Sequence, residues 1–121
     1  MKSGKQLDSY VPERGDIIYI DFNPIKGHEQ GNKTNNPRPA LVISPMKYNK
    51  LSSLALVCPI TSKIKNLNFE VHLNEQTETQ GVILSDQVRC LDWKARKARF
   101  YKKAPSEIVD EVLAKIETLI L

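Results

Sequence analysis

The chain has 121 residues, of which 40% are hydrophobic and 26% are charged, as is usual for a single globular domain. Its longest apolar run, Leu54–Ile60, is far shorter than the roughly 20 residues that a membrane-spanning helix needs. Residues 1–14 contain no apolar stretch of the kind found in secretory signals. The sequence therefore predicts one cytoplasmic domain over residues 1–121 with no membrane association. Residues 1–10 are expected to form a loosely ordered extension.

The positive charge of the chain is unevenly distributed. The formal net charge is +4, but residues 94–103 alone carry six basic side chains and no acidic one. A cluster of this kind favours a polyanionic partner such as a nucleic acid. It is equally typical of an edge strand whose lysines oppose aggregation. The sequence leaves both interpretations open.

The chain contains few residues that bind metals or form disulfides. Two cysteines, Cys58 and Cys90, are too few for a disulfide scaffold or a four-cysteine zinc site. Cys58 lies within an apolar run and is predicted to be a buried thiol. The sequence therefore predicts no metal site and no cofactor.

Short β-type runs follow one another along the chain, separated by turn residues. The predicted strands are Ile17–Phe22, Ala40–Ile43, Leu54–Cys58, Asn68–Leu73, Gly81–Leu84 and Ala98–Lys103. Alternation in the fourth strand predicts that Glu70 and His72 face solvent. From Ile108 onward the apolar positions have the spacing of an amphipathic helix, and Pro105 suits its first turn. These patterns predict a mainly β (α+β) fold, a small curved antiparallel barrel with a C-terminal helix.

Three polar segments stand where strands begin or end. They are Lys26–Gln30, in a long polar loop, Arg38-Pro39, and Pro59–Ser62. Each has an ordinary structural explanation, but together they suit metal-free RNA cleavage. That reaction needs a base for the 2′-hydroxyl, a cation for the phosphorane and an acid for the departing 5′-oxygen.

Each of these chemical roles has a candidate residue. Arg38 suits the cationic role, because its planar fork can hold two phosphate oxygens. His28 or Glu29 is a candidate base. The hydroxyls of Thr61 and Ser62 could bond a non-bridging oxygen.

Eight motifs, taken in order, give the sequence a family resemblance. They are Arg14-Gly15-Asp16-Ile17, Asp21-Phe22-Asn23-Pro24, Gly27-His28-Glu29-Gln30, Arg38-Pro39-Ala40-Leu41-Val42-Ile43-Ser44-Pro45, Tyr48-Asn49, Pro59-Ile60-Thr61-Ser62, Asp86-Gln87-Val88-Arg89 and Trp93-Lys94-Ala95-Arg96. From Val11 to its end, the chain resembles the MazF/PemK (Kid) family, the toxins of type II toxin–antitoxin modules.

The resemblance implies a fold and an activity. The fold is an SH3-like barrel that forms a homodimer. The activity is endoribonuclease cleavage of single-stranded RNA at specific short sequences, without a metal, leaving a 2′,3′-cyclic phosphate and a 5′-hydroxyl. The implied partners are mRNA and an acidic antitoxin protein.

The resemblance also assigns individual residues. The implied catalytic residues are Arg38, Thr61 and Glu29. The implied substrate-binding residues are His28, Gln30, Asn49, Ser62, Asp86 and Gln87. Two departures from the family are expected to matter: a longer segment, Gly31–Pro37, before Arg38, and Leu84 where some members carry an arginine. The second departure leaves Arg38 as the single expected cation.

Two other classes of function compete with the endoribonuclease. One is a gyrase poison similar to CcdB, which binds a protein and cleaves nothing. The other is a barrel that binds RNA without cutting it. Arg38 and Thr61 favour the enzyme, because a pure binding module does not need them. The small number of aromatic residues, mostly within predicted strands, disfavours a stacking RNA-binding module.

Overall fold

Seven short strands and two helices make up the computed structural model, which describes residues 9–23, 36–73 and 80–121. The strands are β1 (Asp16–Asp21), β2 (Pro37–Val42), β3 (Leu54–Thr61), β4 (Glu70–His72), β5 (Val82–Leu84), β6 (Arg89–Asp92) and β7 (Arg99–Lys103). The helices are α1 (Met46–Ser52) and α2 (Ser106–Ile120). The two helices of this described part are too short to cross a membrane.

Every strand pairing in the described residues is antiparallel. The strand order is β4-β5-β3-β2-β1-β7, and β6 pairs with the first half of β3. The antiparallel, mainly β fold with a C-terminal helix is therefore confirmed. Within the described residues the sheet stays open, with β4 and β7 at its ends.

Two apolar clusters cover opposite faces of the sheet, as the period-2 alternation of strands requires. One cluster joins Ile17, Leu41 and Cys58 to the buried face of α2, which contributes Ile108, Val109 and Val112. The other consists of Ile18, Ile20, Ala40, Val42, Ala55, Val57, Leu91 and Trp93. Cys58 is fully buried, as predicted. The face covered by the cluster that contains Trp93 is the one on which the candidate functional residues described below lie.

Three features of the fold differ from the sequence predictions. The helix α1 and the strand β6 were not predicted, since both are short and only one residue of each is buried. Glu70 was expected to face solvent and is buried. Its carboxylate accepts hydrogen bonds from the backbone N–H groups of Lys65 and Asn66, at 2.9–3.3 Å, which compensate for its burial.

The N-terminal segment is described only from Ser9 onward. Residues 1–8 of the expected extension lie outside the described residues. Tyr10 is held firmly: its hydroxyl donates to Asp16 Oδ2 at 2.6 Å, and its ring packs edge-on against Phe100. The chain is thus anchored to the sheet before β1 begins.

Candidate active site

Arg38 and Thr61 lie at the neighbouring ends of two adjacent antiparallel strands. The pairing of β2 with β3 ends at Ala40 and Pro59, after which β3 continues for two residues to Thr61 and β2 for three, through Arg38. Alternation along each strand assigns Arg38 and Thr61 to the same face of the sheet, the face of Ala40 and Pro59. Arg38 is exposed and Thr61 is half-buried. The structure thus places a guanidinium and a hydroxyl that are 23 positions apart in the sequence on one face, at neighbouring strand ends.

The position of Thr61 is fixed from several directions. Its backbone pairs with Val82 of β5, and its Oγ1 accepts a hydrogen bond from the N–H of Lys63 at 3.1 Å. Gly81 lies against the same peptide group: a Cβ on Gly81 would stand 2.4 Å from the carbonyl oxygen of Thr61. Gly81 also has φ of +124°, which side chains rarely adopt. Ser62, the next residue, is exposed beside it.

If Thr61 acts in the RNA cleavage that the sequence predicts, Gly81→Ala should lower the cleavage rate by about a hundredfold, because the new methyl group must push Thr61 out of position. Gly15→Ala is the matched control. Gly15 also has positive φ, of +97°, but its nearest neighbours would lie 3.6 Å from the new Cβ. Gly15→Ala should cost about 1–2 kcal/mol of stability by thermal unfolding, because it shares only the positive φ. Gly81→Ala should cost more, because its methyl group also meets the backbone of Thr61, and it alone should affect the cleavage rate. Equal rates for the two variants would show that the contact with Gly81 does not control Thr61.

Asp86 and Gln87 lie in the turn that follows β5, and both are exposed. The turn is closed by the N–H of Gln87, which donates to the carbonyl of Leu84 at 3.1 Å. Burial, with a smaller contribution from the negative charge of Asp86, raises the pKa of Cys58 to about 12. Asp86 therefore lies close enough to β3 for its charge to act on Cys58, three residues before Thr61.

A second guanidinium, missed by the sequence analysis, lies on the same face as Arg38. Arg89 pairs with Val57 in the β3–β6 register, so its side chain is on the Thr61 side of the sheet. The guanidinium carbon of Arg89 lies 5.3 Å from the centre of the Phe22 ring. Arg89 closes the motif that begins at Asp86, but only the pairing with β3 assigns it to this face. It adds a cation beyond the single one that the sequence led us to expect.

Asn49 is not exposed at this site. Its side chain is fully buried and donates to the carbonyls of Pro12, at 2.8 Å, and Ser44, at 3.1 Å. Its Oδ1 accepts from the Ser44 hydroxyl at 2.6 Å, and its backbone carbonyl accepts from Trp93 Nε1 at 2.9 Å. The substrate contact expected of Asn49 would need an exposed atom, and its side chain has none. Its role in the structure is to connect α1 to the N-terminal segment and to Trp93.

Three of the expected site residues, His28, Glu29 and Gln30, lie outside the described residues. The described residues that precede them are anchored, because Arg96 Nη1 donates to the carbonyls of Asp21 and Asn23, both at 2.8 Å. The end of β1, where the chain leaves the sheet, is therefore fixed.

No group of three or more His, Cys, Asp or Glu side chains that could hold a metal ion occurs within residues 9–23, 36–73 and 80–121. The strand registers assign two guanidinium groups and the Thr61 hydroxyl to the Arg38 face, and Ser62, Asp86 and Gln87 are exposed in the neighbouring segments. Such groups can bind phosphate and stabilise charge that develops on it.

Together, the fold and the site define a small antiparallel β protein with a cationic, hydroxyl-bearing site at the ends of adjacent strands. Comparison with known proteins identifies it further. The model of the PemK-like, MazF-like toxin of type II toxin–antitoxin systems matches residues 13–120, and the chain belongs to this family.

Relatives of known activity extend across almost the whole chain. The chain is 42% identical to the endoribonuclease toxin MazF of Escherichia coli over 114 residues, which cover 94% of this chain and 98% of the relative. It is 34% identical to the endoribonuclease PemK of Escherichia coli over 112 residues, covering 89% and 81%. The crystal structure of MazF from Deinococcus radiodurans superposes with a TM-score of 0.80 at 41% identity, covering 93% and 98%. The family is thus one of endoribonuclease toxins.

Proposed function

We propose that this protein is a toxin endoribonuclease that cleaves single-stranded RNA at specific short sequences. In this proposal the 2′-hydroxyl attacks the adjacent phosphorus without a metal ion, and the products carry a 2′,3′-cyclic phosphate and a 5′-hydroxyl. The observation that carries the proposal is the placement of Arg38 and Thr61 on one face, at the neighbouring ends of β2 and β3, in a chain of this family. The proposed substrate is mRNA, and a cytoplasmic location is part of the proposal.

The proposed reaction needs a base that takes one proton from the RNA and an acid that gives one proton to it. A base, Glu29 or His28, removes the 2′-hydroxyl proton, the new P–O bond forms, and an acid protonates the 5′-oxygen as its bond to phosphorus breaks. Arg38 stabilises the charge that develops on the non-bridging oxygens, and the hydroxyl of Thr61 donates to one of them. Thr61 Oγ1 already accepts a hydrogen bond from Lys63, which leaves its hydrogen to point elsewhere.

Neighbouring residues would hold the RNA on either side of the scissile phosphate. Ser62, Asp86 and Gln87 are exposed beside Thr61 or in the turn after β5, and all three can bond bases or sugars. Gln30 is proposed for the same role. Arg89, over the ring of Phe22, is suited to a flanking phosphate.

The proposal extends to two protein partners. The first is a second copy of the chain, since the described C-terminal residues Leu119, Ile120 and Leu121 are 57%, 74% and 93% exposed and form an apolar surface. The second is an acidic antitoxin that competes with RNA for the basic surface. Complexes of MazE with MazF from Deinococcus radiodurans have been solved. The matching chain in one of them is 37% identical to this chain and superposes with a TM-score of 0.80.

Cleavage mapping in the presence of EDTA tests the proposed reaction. A long RNA incubated with the purified protein should be cut at one short sequence, as seen by primer extension. A matched RNA with a single 2′-deoxy sugar at the mapped position should resist cleavage and still compete for binding, because only the attacking hydroxyl is missing. Cleavage of the deoxy substrate, or activity that EDTA abolishes, would contradict the mechanism. RNA binding with no cleavage would instead support the non-catalytic alternative.

A further inference from the structure

A row of aromatic and cationic side chains along the edge strand β7 takes no part in the site described above. We call this row the β7 strip; it consists of Tyr19, Arg99, Phe100, Tyr101 and Lys102. Within the described residues β7 pairs only with β1, so its other side is an open edge. Two of its rings are unusually accessible, Phe100 at 52% and Tyr101 at 41% exposure.

Along the β7 strip the cations lie next to aromatic rings. The rings of Tyr19 and Tyr101 meet edge to face, with centres 5.3 Å apart. The guanidinium carbon of Arg99 lies 6.0 Å from the centre of the Tyr19 ring, and the ammonium of Lys102 lies 5.0 Å from that of Tyr101. Each of these cations is thus held beside an aromatic ring whose surface is partly open to solvent.

Protection of an edge strand explains only part of this arrangement. Lysines and an irregular register are usual defences of an edge, and both occur here: the β1–β7 register shifts between Ile17 and Ile18. Exposed Phe100 and Tyr101 have the opposite effect, because apolar rings on an open edge promote association. The rings therefore require another explanation.

The β7 strip begins on the same face as the active site and continues around the edge. Phe100 pairs with Ile18, and Arg38 pairs with Ile20, so Phe100 and Arg38 are on one face of the sheet. Tyr19 lies on the other face by alternation, and so do Arg99, which pairs with Tyr19, and Lys102, which pairs with Ile17. β7 and β2 are separated by β1, a distance of about 10 Å. A strand of nucleic acid bound at Arg38 would therefore reach Phe100 first and turn around the open edge of β7 to meet Arg99 and Lys102.

We propose that the β7 strip binds single-stranded RNA beside the cleavage site, with bases stacked on the rings and phosphates held by Arg99 and Lys102. The identity of the ligand rests on the proposed function. Aromatic faces interleaved with cations are the surface that recognises unpaired nucleotides irrespective of sequence. An acidic protein segment would use the cations but has no need of the exposed rings. The strip thus gives a function to Arg99 and Lys102, two of the six basic residues of the segment 94–103.

The binding test uses a 2′-O-methyl RNA of about 16 nucleotides, which cannot be cleaved by the proposed route because it lacks free 2′-hydroxyls. Tyr19→Ala combined with Tyr101→Ala should weaken its binding about tenfold or more. The matched pair Tyr19→Phe and Tyr101→Phe keeps the rings and should bind as the unmodified protein does. Arg99→Ala should lower the slope of log affinity against log salt by about 0.7, and Arg99→Lys should leave it unchanged.

A cleavage assay separates the contribution of the β7 strip from that of the active site. The double alanine variant should cut a short RNA, limited to the mapped sequence and its nearest neighbours, at the unmodified rate. Unchanged affinity of the double alanine variant for the 2′-O-methyl RNA would overturn the proposal. If the unmodified protein cuts no RNA but its binding of the 2′-O-methyl RNA still depends on the two rings, the proposed endoribonuclease function is wrong and the proposal for the β7 strip is supported.

Two other occupants of the strip give distinct results. Loss of binding to a poly-glutamate peptide, with RNA binding intact, would assign the strip to an acidic protein partner. A fall in molecular mass by light scattering in the double alanine variant would assign it to contact between copies of this chain. Either result would overturn the RNA proposal.

Discussion

Arg38→Ala should reduce the rate of RNA cleavage by about 10²–10³-fold while the protein remains folded. Arg38 is exposed at the end of β2, so its removal leaves no cavity. Its cation acts mainly on the charge of the phosphorane, and binding of the ground state should therefore change little. Single-turnover cleavage and binding of the deoxy-substituted RNA measure the two effects separately.

Arg38→Lys is the informative companion to that variant. It keeps the positive charge but loses the planar fork that holds two oxygens, and its rate should fall between those of the alanine variant and the unmodified protein. If Arg38→Ala cut RNA at nearly the unmodified rate, Arg38 would have no catalytic role. Arg89 would then be the first residue to examine, since it is the other guanidinium placed on this face.

Asn49→Ala should destabilise the protein by about 3–5 kcal/mol, a large part of the 5–15 kcal/mol that usually holds a domain folded. The truncation removes two donors and one acceptor, and it leaves the carbonyls of Pro12 and Ser44 without those donors. Urea unfolding followed by circular dichroism measures the loss. Asn68→Ala, at an exposed position, is the control and should change stability by less than about 0.5 kcal/mol.

The same variant decides between the two roles considered for Asn49. A substrate-binding residue can be truncated at little cost to stability, with weaker RNA binding as the main effect. A residue that joins buried segments shows the reverse. If Asn49→Ala were as stable as the unmodified protein and bound RNA poorly, the substrate-binding role of Asn49 would be supported.

Strand and helix positions were largely predictable, because apolar patterns are local. The runs that became β1, β2 and β3 each have Gly or Pro residues near their ends, and α2 has a clear apolar stripe. Glu70 was misplaced since alternation cannot reveal a carboxylate satisfied by nearby backbone N–H groups. The elements that were missed, α1 and β6, are stabilised mainly by contacts with distant parts of the chain.

The candidate site was predictable only in part, for a related reason. Arg38 and Thr61 could be singled out by residue type and family resemblance, but their adjacency depends on the β2–β3 register. Arg89 reaches the same face only through its pairing with Val57. For Asn49 the sequence predicts a substrate contact, but a polar residue in a family motif is as consistent with the buried hydrogen-bonding role that the structure shows.

The unequal environments of the two cysteines make the native chain ready for site-specific labelling. Cys58 is buried with a pKa near 12, whereas Cys90 is exposed on β6. Thiol reagents act on the thiolate, so a maleimide dye at neutral pH should attach to Cys90 alone. Cys90 adjoins Arg89 in the chain but points to the opposite face of the sheet. A fluorophore there would report on RNA arriving at the Arg38 face without obstructing it, and no engineered cysteine would be needed.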